Sequence, residues 1–310
     1  MKTGQETEMT GKFYAELEKI AGENHVFRDE PMKNHTTFRV GGPADILVQT
    51  GKEELPRVVR ICRQQEIPLY IIGNGSNLLV GDRGIRGVVA ELTTEKASIS
   101  VEGTRLRADA GTLLGRAAKT AANAGLTGME FVAGIPGTLG GAVVMNAGAY
   151  GGEIKDILVS VMVLDEAGAA EEWPAEKLDL GYRHSNILQQ HRIVTEAVLQ
   201  LAEGVQQEIC EKMDFLAEQR REKQPLAYPS AGSTFKRPEG YFAGKLIMDA
   251  GLRGYRVGGA QISEKHCGFV VNTGNATAAD IRRLMDKVIA EVERRFGVIL
   301  EPEVKMLGEF

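Results

Sequence analysis

The sequence predicts a protein of mixed α-helical and β-strand structure, and three observations lead to that prediction. Apolar residues at helical spacing alternate along the chain with short, strand-like apolar runs. The 310 residues suffice for roughly two domains of ordinary size, and 43% of them are apolar, which is enough to build cores. Residues 134–152 hold seven glycines among apolar residues, without the serine and lysine of a linker, so we predict a buried loop that faces a ligand.

The first part of the chain is predicted to open with a loose leader and a helix. Residues 1–10 are polar and acidic, whereas Phe13, Leu17 and Ile20 recur at helical spacing before Gly22. The elements predicted next are strands at Ala44–Val48 and Leu69–Ile72 on either side of a helix at Glu53–Gln65, a strand at Gly87–Leu92, strand-like alternation from Ile99 to Ala108 and a helix at about Thr112–Ala124.

The second part is predicted to end in a long helix. Thr277 can cap a helix whose apolar residues keep helical spacing as far as Gly297. The other predicted elements are strands at Val159–Leu164 and Ile193–Leu201, a joint at Gly204–Gln207, an amphipathic helix at Ile209–Arg221, a loop over most of Gln224–Arg237 and a short strand at Val298–Leu300.

Composition excludes several classes of function. The net charge is −5 and no basic block is present, which argues against nucleic acid as a partner. An anionic ligand must therefore be held by local arginines and lysines. No stretch approaches the ~20 apolar residues of a membrane span, and the N-terminus lacks the apolar core of a signal peptide. We therefore expect a cytoplasmic protein without membrane contact.

The cysteines are few and widely spaced. Cys62, Cys210 and Cys267 are odd in number and form no CxxC pair, which argues against a disulfide framework and for a reducing compartment. No metal site is predicted. Cys267 lies in the segment Ser263–Gly268, where it is either a reactive thiol or, as is more common, a packed cysteine in a turn.

A glycine-containing turn follows the strand at Leu69–Ile72. Its residues Gly73–Asn77 offer consecutive backbone N–H groups together with asparagine and serine donors, and such a turn can bind a pyrophosphate without a cation. The alternative is an ordinary surface turn. The turn does not match the dinucleotide fingerprint GxGxxG, because Leu78 stands where the last glycine would be, and the chain has no P-loop motif.

Three further polar clusters are candidates for chemistry. Leu180–Ser185 places an arginine beside a tyrosine, Pro229–Arg237 offers hydroxyl groups near two cations, and Glu301–Lys305 carries two carboxylates. Each has an ordinary structural explanation: a solvated arginine, a serine-rich turn and a solvated edge strand. None of the three identifies a function alone.

Taken together and in order, these segments resemble the UDP-N-acetylenolpyruvoylglucosamine reductase family, also called UDP-N-acetylmuramate dehydrogenases. Six blocks spanning about residues 34–308 are more specific than any one of them. The matching blocks are Asn34–Ala44, Gly73–Leu79, Glu130–Gly151, Tyr182-Arg183, Ser230–Phe235 and Leu300–Lys305.

The resemblance implies an α+β fold. It consists of a two-subdomain FAD-binding region of the vanillyl-alcohol-oxidase-like type and a C-terminal α+β substrate-binding domain, with expected boundaries 1–93, 94–206 and 207–310. FAD would be bound non-covalently. The residues implied for the FAD pyrophosphate are Gly73, Asn74, Gly75, Ser76 and Asn77, and those implied near the flavin ring are Pro136, Gly137, Thr138, Gly140, Gly141 and Ala142.

The resemblance also implies the reaction and the residues that carry it. NADPH would reduce the FAD, and the reduced flavin would reduce the enolpyruvyl group of the UDP-sugar substrate. Arg183 would be the cation that polarises the substrate carboxylate, Ser233 the proton donor, and Glu303 the group that assists. The residues implied in substrate binding are Tyr182, Arg220, Lys236, Arg237 and Lys305.

Two departures and two rival functions qualify this interpretation. Lys305 replaces a frequent arginine, and Glu301 lies on the same face of any strand as Glu303, so the choice of Glu303 rests on sequence context. The short connection between Tyr182 and Arg220 places the chain in the subclass without a tyrosine-bearing lid. The rivals are an FAD-dependent sugar or alcohol oxidase on the same fold and a non-catalytic nucleotide-binding or redox-sensing module. No obligate protein partner is expected.

Overall fold

The computed structural model describes residues 4–310, with side chains from residue 11 onward. Its first helix, α1, spans Gly4–Ala21. The prediction of a loose leader at residues 1–10 is therefore wrong for residues 4–10, and its first three residues lie outside the described part of the chain. Gln5, Glu6 and Glu8 favour helix, and the helix therefore continues backwards from its apolar face.

The first region of the fold is built on a four-stranded sheet of order β1-β2-β5-β3. Strand β1 pairs antiparallel with β2, whereas β2 and β3 run parallel to β5. The sequence did not predict β1, because this edge strand buries only its first residue, Val26, and shows no alternation. Its elements after α1 are β1 Val26–Pro31, β2 Pro43–Thr50, α2 Leu55–Gln64, β3 Leu69–Ile72, β4 Leu78–Val80 and β5 Ile85–Leu92.

The second region contains a five-stranded antiparallel sheet. Two pairs of short strands, β9 with β10 and β8 with β14, and two helices complete the region up to Glu203. The elements are β6 Ile99–Glu102, β7 Arg105–Asp109, α3 Leu114–Asn123, β8 Leu126–Thr127, α4 Leu139–Val144, β9 Gly148–Ala149, β10 Gly152–Glu153, β11 Leu158–Leu164, β12 Ala170–Pro174, β13 Ile193–Gln200 and β14 Ala202–Glu203. The order of the sheet is β12-β11-β13-β7-β6.

Helix α4 corrects the prediction that the whole glycine-rich segment is a loop. The helix begins after Thr138 and buries Leu139, Ala142 and Val143. The N–H of Gly140 donates to the carbonyl of Ala110 at 2.9 Å, and a Cβ at Gly140 would lie 2.7 Å from the Ala110 side chain. The glycine therefore permits the helix to pack directly on the end of β7.

The third region holds helices around a small sheet of order β15-β16-β17. The predicted long helix is confirmed: the Thr277 side chain accepts from the N–H of Asp280, and Gly297 ends the helix with a φ of 68°. Helix α5 is also confirmed, although it buries only Ile209. The elements are α5 Gln206–Lys223, α6 Ala243–Asp249, β15 Arg256–Val257, β16 Ala260–Ile262, β17 Val270–Asn272, α7 Ala278–Phe296 and β18 Lys305–Leu307.

The chain end returns to the first region. The predicted strand at Val298–Leu300 is wrong; the strand is β18, and it pairs parallel with β4. The Asp82 carboxylate also accepts from the N–H groups of Ala278 and Ala279 at 2.8 and 2.9 Å, and thus stabilises the start of α7. The domain boundaries after residues 93 and 206 stay predictions. No helix within residues 4–310 is long and apolar enough to cross a membrane.

Candidate active site

The two glycine-containing segments found in the sequence lie against each other. A Cβ at Gly73 would overlap the Thr138 hydroxyl, and the Asn74 side chain donates to the carbonyl of Pro136 at 2.6 Å. Ser76 lies beside Gly137, with its Oγ 3.4 Å from where a Cβ would be. We call this combined surface, residues 73–77 with 134–148, the glycine wall.

The turn at 73–77 is held from two other sides. Gly75 has a φ of 58°, and a Cβ there would overlap the carbonyl oxygen of His35. The Gly75 carbonyl accepts from the N–H of Thr37 at 3.3 Å. The Asn77 side chain donates to the carbonyl of Glu303 at 3.2 Å, so the turn also contacts the chain end.

The glycine wall fits the diphosphate and ring of FAD. The Cβ positions of Gly73 and Gly75 are taken up by Thr138 and by the carbonyl of His35, so neither residue places a side chain over the backbone N–H groups that could bind a phosphate. Of the predicted ring-side residues, Pro136 and Gly141 are exposed, whereas Gly140 and Ala142 are buried behind the surface. The wall therefore offers shape and backbone donors but no charge of its own.

Arg183 and Glu303 form an ion pair beside the glycine wall. The two side chains are 19% and 13% exposed, and Nε of Arg183 lies 2.6 Å from Oε1 of Glu303. The guanidinium also donates to the carbonyl of Gly148 at 3.1 Å. Burial raises the pKa of Glu303, and the charge and hydrogen bond of Arg183 only partly oppose that rise. Arg183 and Glu303, which are 120 positions apart in the chain, are thus brought together by the fold.

Ser233 lies on a segment that runs antiparallel to the chain end. The N–H of Glu303 donates to the carbonyl of Thr234, and the N–H of Lys236 donates to that of Glu301, both at 2.8 Å. The Ser233 side chain is exposed. We call Arg183, Ser233, Lys236, Glu301 and Glu303 together the charged junction.

The structure places Glu301 and Glu303, between which sequence context favoured Glu303, in different environments. Glu301 is 70% exposed and pairs with Lys236 at 3.0 Å, whereas Glu303 is nearly buried and pairs with Arg183. No regular strand covers these positions, so the expectation that both share one strand face is wrong.

The predicted substrate-binding residues fall into separate places. The Tyr182 hydroxyl accepts from the backbone N–H of Arg237 at 3.0 Å, and the Arg237 guanidinium stacks 4.0 Å from the centre of the Phe242 ring. Arg220 is instead near Gly134, with its Nε donating to Gln224 at 3.0 Å. Lys305 begins β18 and is exposed.

A basic cavity of about 510 Å³ next to the end of the glycine wall was not predicted. It is lined by Lys223, at the end of α5, and by Lys265, in the segment Ser263–Gly268. No local sequence pattern predicts that these two lysines line one cavity, since they lie 42 residues apart in the chain. Its lining residues are Ala149, Tyr150, Glu222, Lys223, Gln224, Lys265 and His266.

Cys267 is buried beside this cavity, and burial raises the pKa of its thiol. Both observations favour the packed cysteine over the reactive thiol. The neighbouring His266 accepts at Nδ1 from the N–H of Gly268 at 3.1 Å, and burial lowers its pKa. Its Nε2 is therefore the protonated nitrogen of a neutral ring.

The α+β fold and a wall suited to a flavin define the class as FAD-dependent oxidoreductases. A family model described as "FAD binding domain" matches residues 43–172, and one described as "UDP-N-acetylenolpyruvoylglucosamine reductase, C-terminal domain" matches residues 224–307. Relatives of that name are 53% identical over 306 residues in Lachnoclostridium phytofermentans, covering 97% of this chain and 99% of the relative, and 52% identical over 297 residues in Clostridioides difficile, covering 96% and 98%. The chain belongs to the UDP-N-acetylenolpyruvoylglucosamine reductase family.

A solved structure agrees with this assignment. The crystal structure of the reductase from Thermus caldophilus superimposes with a TM-score of 0.78 at 39% identity, and the match covers 91% of this chain and 98% of that one. The fold class implied by the sequence resemblance is confirmed.

Proposed function

We propose that this protein reduces UDP-N-acetylglucosamine-enolpyruvate to UDP-N-acetylmuramate, a step of peptidoglycan precursor synthesis, with non-covalent FAD and with NADPH as reductant. The observation that carries the proposal is the Arg183–Glu303 ion pair. Glu303 is bonded through its backbone N–H to Thr234, the residue after Ser233, and the pair contacts the glycine wall at Gly148 and Asn77. FAD, when bound, supplies hydride transfer in both directions. The protein groups supply binding, charge and a proton.

Arg183 would stabilise the charge that develops on the substrate. Hydride addition to the terminal carbon of the enolpyruvyl group leaves negative charge on the adjacent carbon and on its carboxylate. The guanidinium is fixed from two sides, by Glu303 at 2.6 Å and by the carbonyl of Gly148 at 3.1 Å. A cation held in this way needs little reorganisation when the charge appears.

Ser233 would then donate its proton to that adjacent carbon. A serine hydroxyl is a weak acid in water, but a carbanion is a strong base, and nearby cations lower the free energy of the alkoxide left behind. Lys236 is three residues away on the same segment. Glu303, whose backbone N–H bonds to Thr234, would orient Arg183 and assist charge stabilisation.

Binding of the UDP diphosphate requires local cations, although the net charge of the chain is −5. The basic cavity with Lys223 and Lys265 gives such a place at the end of the glycine wall. The residues that we propose for the substrate as a whole are Tyr182, Arg220, Lys236, Arg237 and Lys305, together with these two lysines.

The proposal is tested by separating the two half-reactions of Ser233→Ala. NADPH should reduce the flavin of this variant at the parent rate, because no proton from Ser233 is needed there. Reoxidation by UDP-N-acetylglucosamine-enolpyruvate should slow by about 10²–10⁴-fold. Anaerobic stopped-flow absorbance measures both steps, and Ser100→Ala, an exposed serine on β6, is the control. Reoxidation of Ser233→Ala at the parent rate would contradict the assignment of the acid.

Three assays of the parent protein discriminate the rival functions: anaerobic reoxidation of the flavin by the enolpyruvyl substrate, oxygen consumption with a free sugar or alcohol, and binding of UDP-sugars. An oxidase would consume oxygen rapidly with a free sugar or alcohol and would not be reoxidised by the enolpyruvyl substrate. A binding or sensing module would bind UDP-sugars without turnover.

The cellular setting is part of the proposal. Peptidoglycan precursor synthesis would connect this enzyme to cell-wall formation, cell shape and division. Cys62, Cys210 and Cys267 are all free thiols, which supports a cytoplasmic location. Full turnover by the purified chain would show that no protein partner is required.

A further inference from the structure

His35 lies directly behind the turn that is proposed to hold the FAD diphosphate. Its carbonyl oxygen packs against Gly75 so closely that a Cβ would overlap it, and two residues later the Thr37 N–H donates to the Gly75 carbonyl. The segment 35–37 is therefore the support on which the middle of the turn rests.

The His35 ring is held between two carboxylates from different strands. Its Nδ1 lies 3.1 Å from Oε1 of Glu91 on β5, and its Nε2 lies 3.1 Å from Oε1 of Glu30 on β1. The ring is only 13% exposed. From β2, the neutral side chain of Gln49 donates to Glu91 at 3.0 Å, and the nearby Asn34 donates to Glu30.

This arrangement favours the imidazolium form. A neutral imidazole has one N–H donor, so one of its nitrogens would turn a lone pair toward a carboxylate. Burial by itself would lower the pKa of His35, but the hydrogen bonds and charges of Glu91 and Glu30 outweigh burial, and the pKa lies above its usual value.

We propose that His35 is a positioning residue for the cofactor: its doubly protonated ring ties the segment 35–37 to β1 and β5 and thereby holds Gly75 and the turn 73–77 in the conformation that binds the FAD diphosphate. The inference rests on the proposed function, because it takes this turn as the diphosphate site. It assigns a role to a histidine that contacts neither the substrate-binding residues nor the charged junction.

The test measures the dissociation constant of FAD by ultrafiltration of the diluted holoenzyme from pH 6 to 9, with far-UV circular dichroism as a check on folding. For the parent, the constant should rise as pH increases through the folded-state pKa of His35, because the supporting charge is lost there. For His35→Gln, it should be about tenfold higher at pH 6 and should lack that rise. His191→Gln, an exposed histidine beside Glu166, should behave like the parent.

Two further variants separate positioning from simple loss of stability. Adding Glu30→Gln to His35→Gln supplies an amide donor in place of the lost one, and should return FAD affinity toward the parent without restoring the pH dependence. Glu30→Gln alone should move the rise to lower pH, because one of the charges that raise the pKa of His35 is gone. This single variant decides the question if His35→Gln does not fold.

Three results would overturn the inference: His35→Gln with parental FAD affinity, with or without a lower Tm; a pH-dependent rise that persists in that variant; or no recovery in the double variant. The variant Ser76→Asp, which puts a carboxylate into the turn 73–77, distinguishes failure of the role of His35 from failure of the placement of the FAD diphosphate at this turn. If folded Ser76→Asp keeps parental FAD affinity, the diphosphate is bound elsewhere, and both the cofactor placement at 73–77 and the role of His35 fail, whereas the proposed reaction is tested separately by Ser233→Ala. If it loses affinity while His35→Gln does not, only the role of His35 fails.

Discussion

The glycine wall and the charged junction are adjacent, but they are built in opposite ways. The wall depends on positions without side chains, such as Gly73 against Thr138, and on backbone donors. The junction depends on long charged side chains, of which Arg183 and Glu303 come from segments 120 residues apart. Each half of the wall is therefore made by one short segment, although the two segments meet only in the folded chain, whereas the ion pair of the junction itself joins two distant segments.

The two regions are therefore sensitive to different kinds of substitution. At Gly73, Gly75 and Gly140, an added methyl group is harmful because it meets backbone or a buried side chain, whereas Gly137 and Gly141 leave room for it. At the junction, the same small change of volume matters little, but removal of one charge leaves its partner nearly buried and unpaired. Substitutions that change only volume or only charge should therefore affect the two regions differently.

The largest effect is expected at the junction. Arg183→Ala removes the fixed cation and leaves Glu303 unpaired, so reoxidation of the flavin by the enolpyruvyl substrate should slow by about 10²–10³-fold. Flavin reduction by NADPH should change much less. Stopped-flow absorbance measures both rates, with Arg105→Ala, an exposed arginine on β7, as the control. Equal slowing of both half-reactions would indicate a collapsed site and would refute the specific role.

A smaller effect is expected at the wall. Gly73→Ala places a methyl group on the Thr138 hydroxyl and should reduce the free energy of unfolding by about 1–3 kcal/mol. It should also weaken FAD binding. Gly11→Ala, within α1 and with no atom near its Cβ position, is the matched control and should stabilise by about 0.5–1 kcal/mol. Urea denaturation measures the stability of both variants, and ultrafiltration measures their FAD affinity. Parental stability and FAD affinity in Gly73→Ala would show that the close packing is unimportant.

The smallest effect is the pH dependence of stability from Glu303. Because its folded-state pKa is raised by burial, the protonated form is favoured in the folded protein. The contribution of this group is therefore fully present below the ordinary pKa of glutamate, about 4.3, and is lost as pH rises through the higher folded-state value.

Urea denaturation of the parent and of Glu303→Gln across this window checks the sign. The stability of the parent relative to the variant should fall as pH rises. A relative stability that rises with pH would mean that Arg183 outweighs burial and that the pKa of Glu303 is lowered.

Much of the secondary structure could be predicted from the sequence, and the failures have physical reasons. The capped, strongly periodic helix α7 was predicted from Thr277 to Gly297 because the signals are local. The edge strand β1 was missed because it buries only Val26, and the terminal strand β18 was missed because its residues are mostly exposed and its partner β4 is distant in sequence. Helix α4 was hidden by glycines that serve packing on Ala110.

The candidate site divides in the same way. The glycine turn at 73–77 was visible because its chemistry lies in consecutive residues. The different environments of Glu301 and Glu303, the lysines of the basic cavity and the carboxylates around His35 could not be predicted, because each depends on which segments meet in space.

The sequence by itself determined the family, the α+β class and the segment suited to a flavin, because these rest on ordered local motifs and on the spacing of glycine and apolar residues. The tertiary structure was needed to see that Glu303 pairs with Arg183, that Lys223 and Lys265 line one cavity, and that His35 lies behind Gly75. Electrostatic interactions and burial depend on distances between atoms, and chain folding sets those distances for residues that are far apart in sequence.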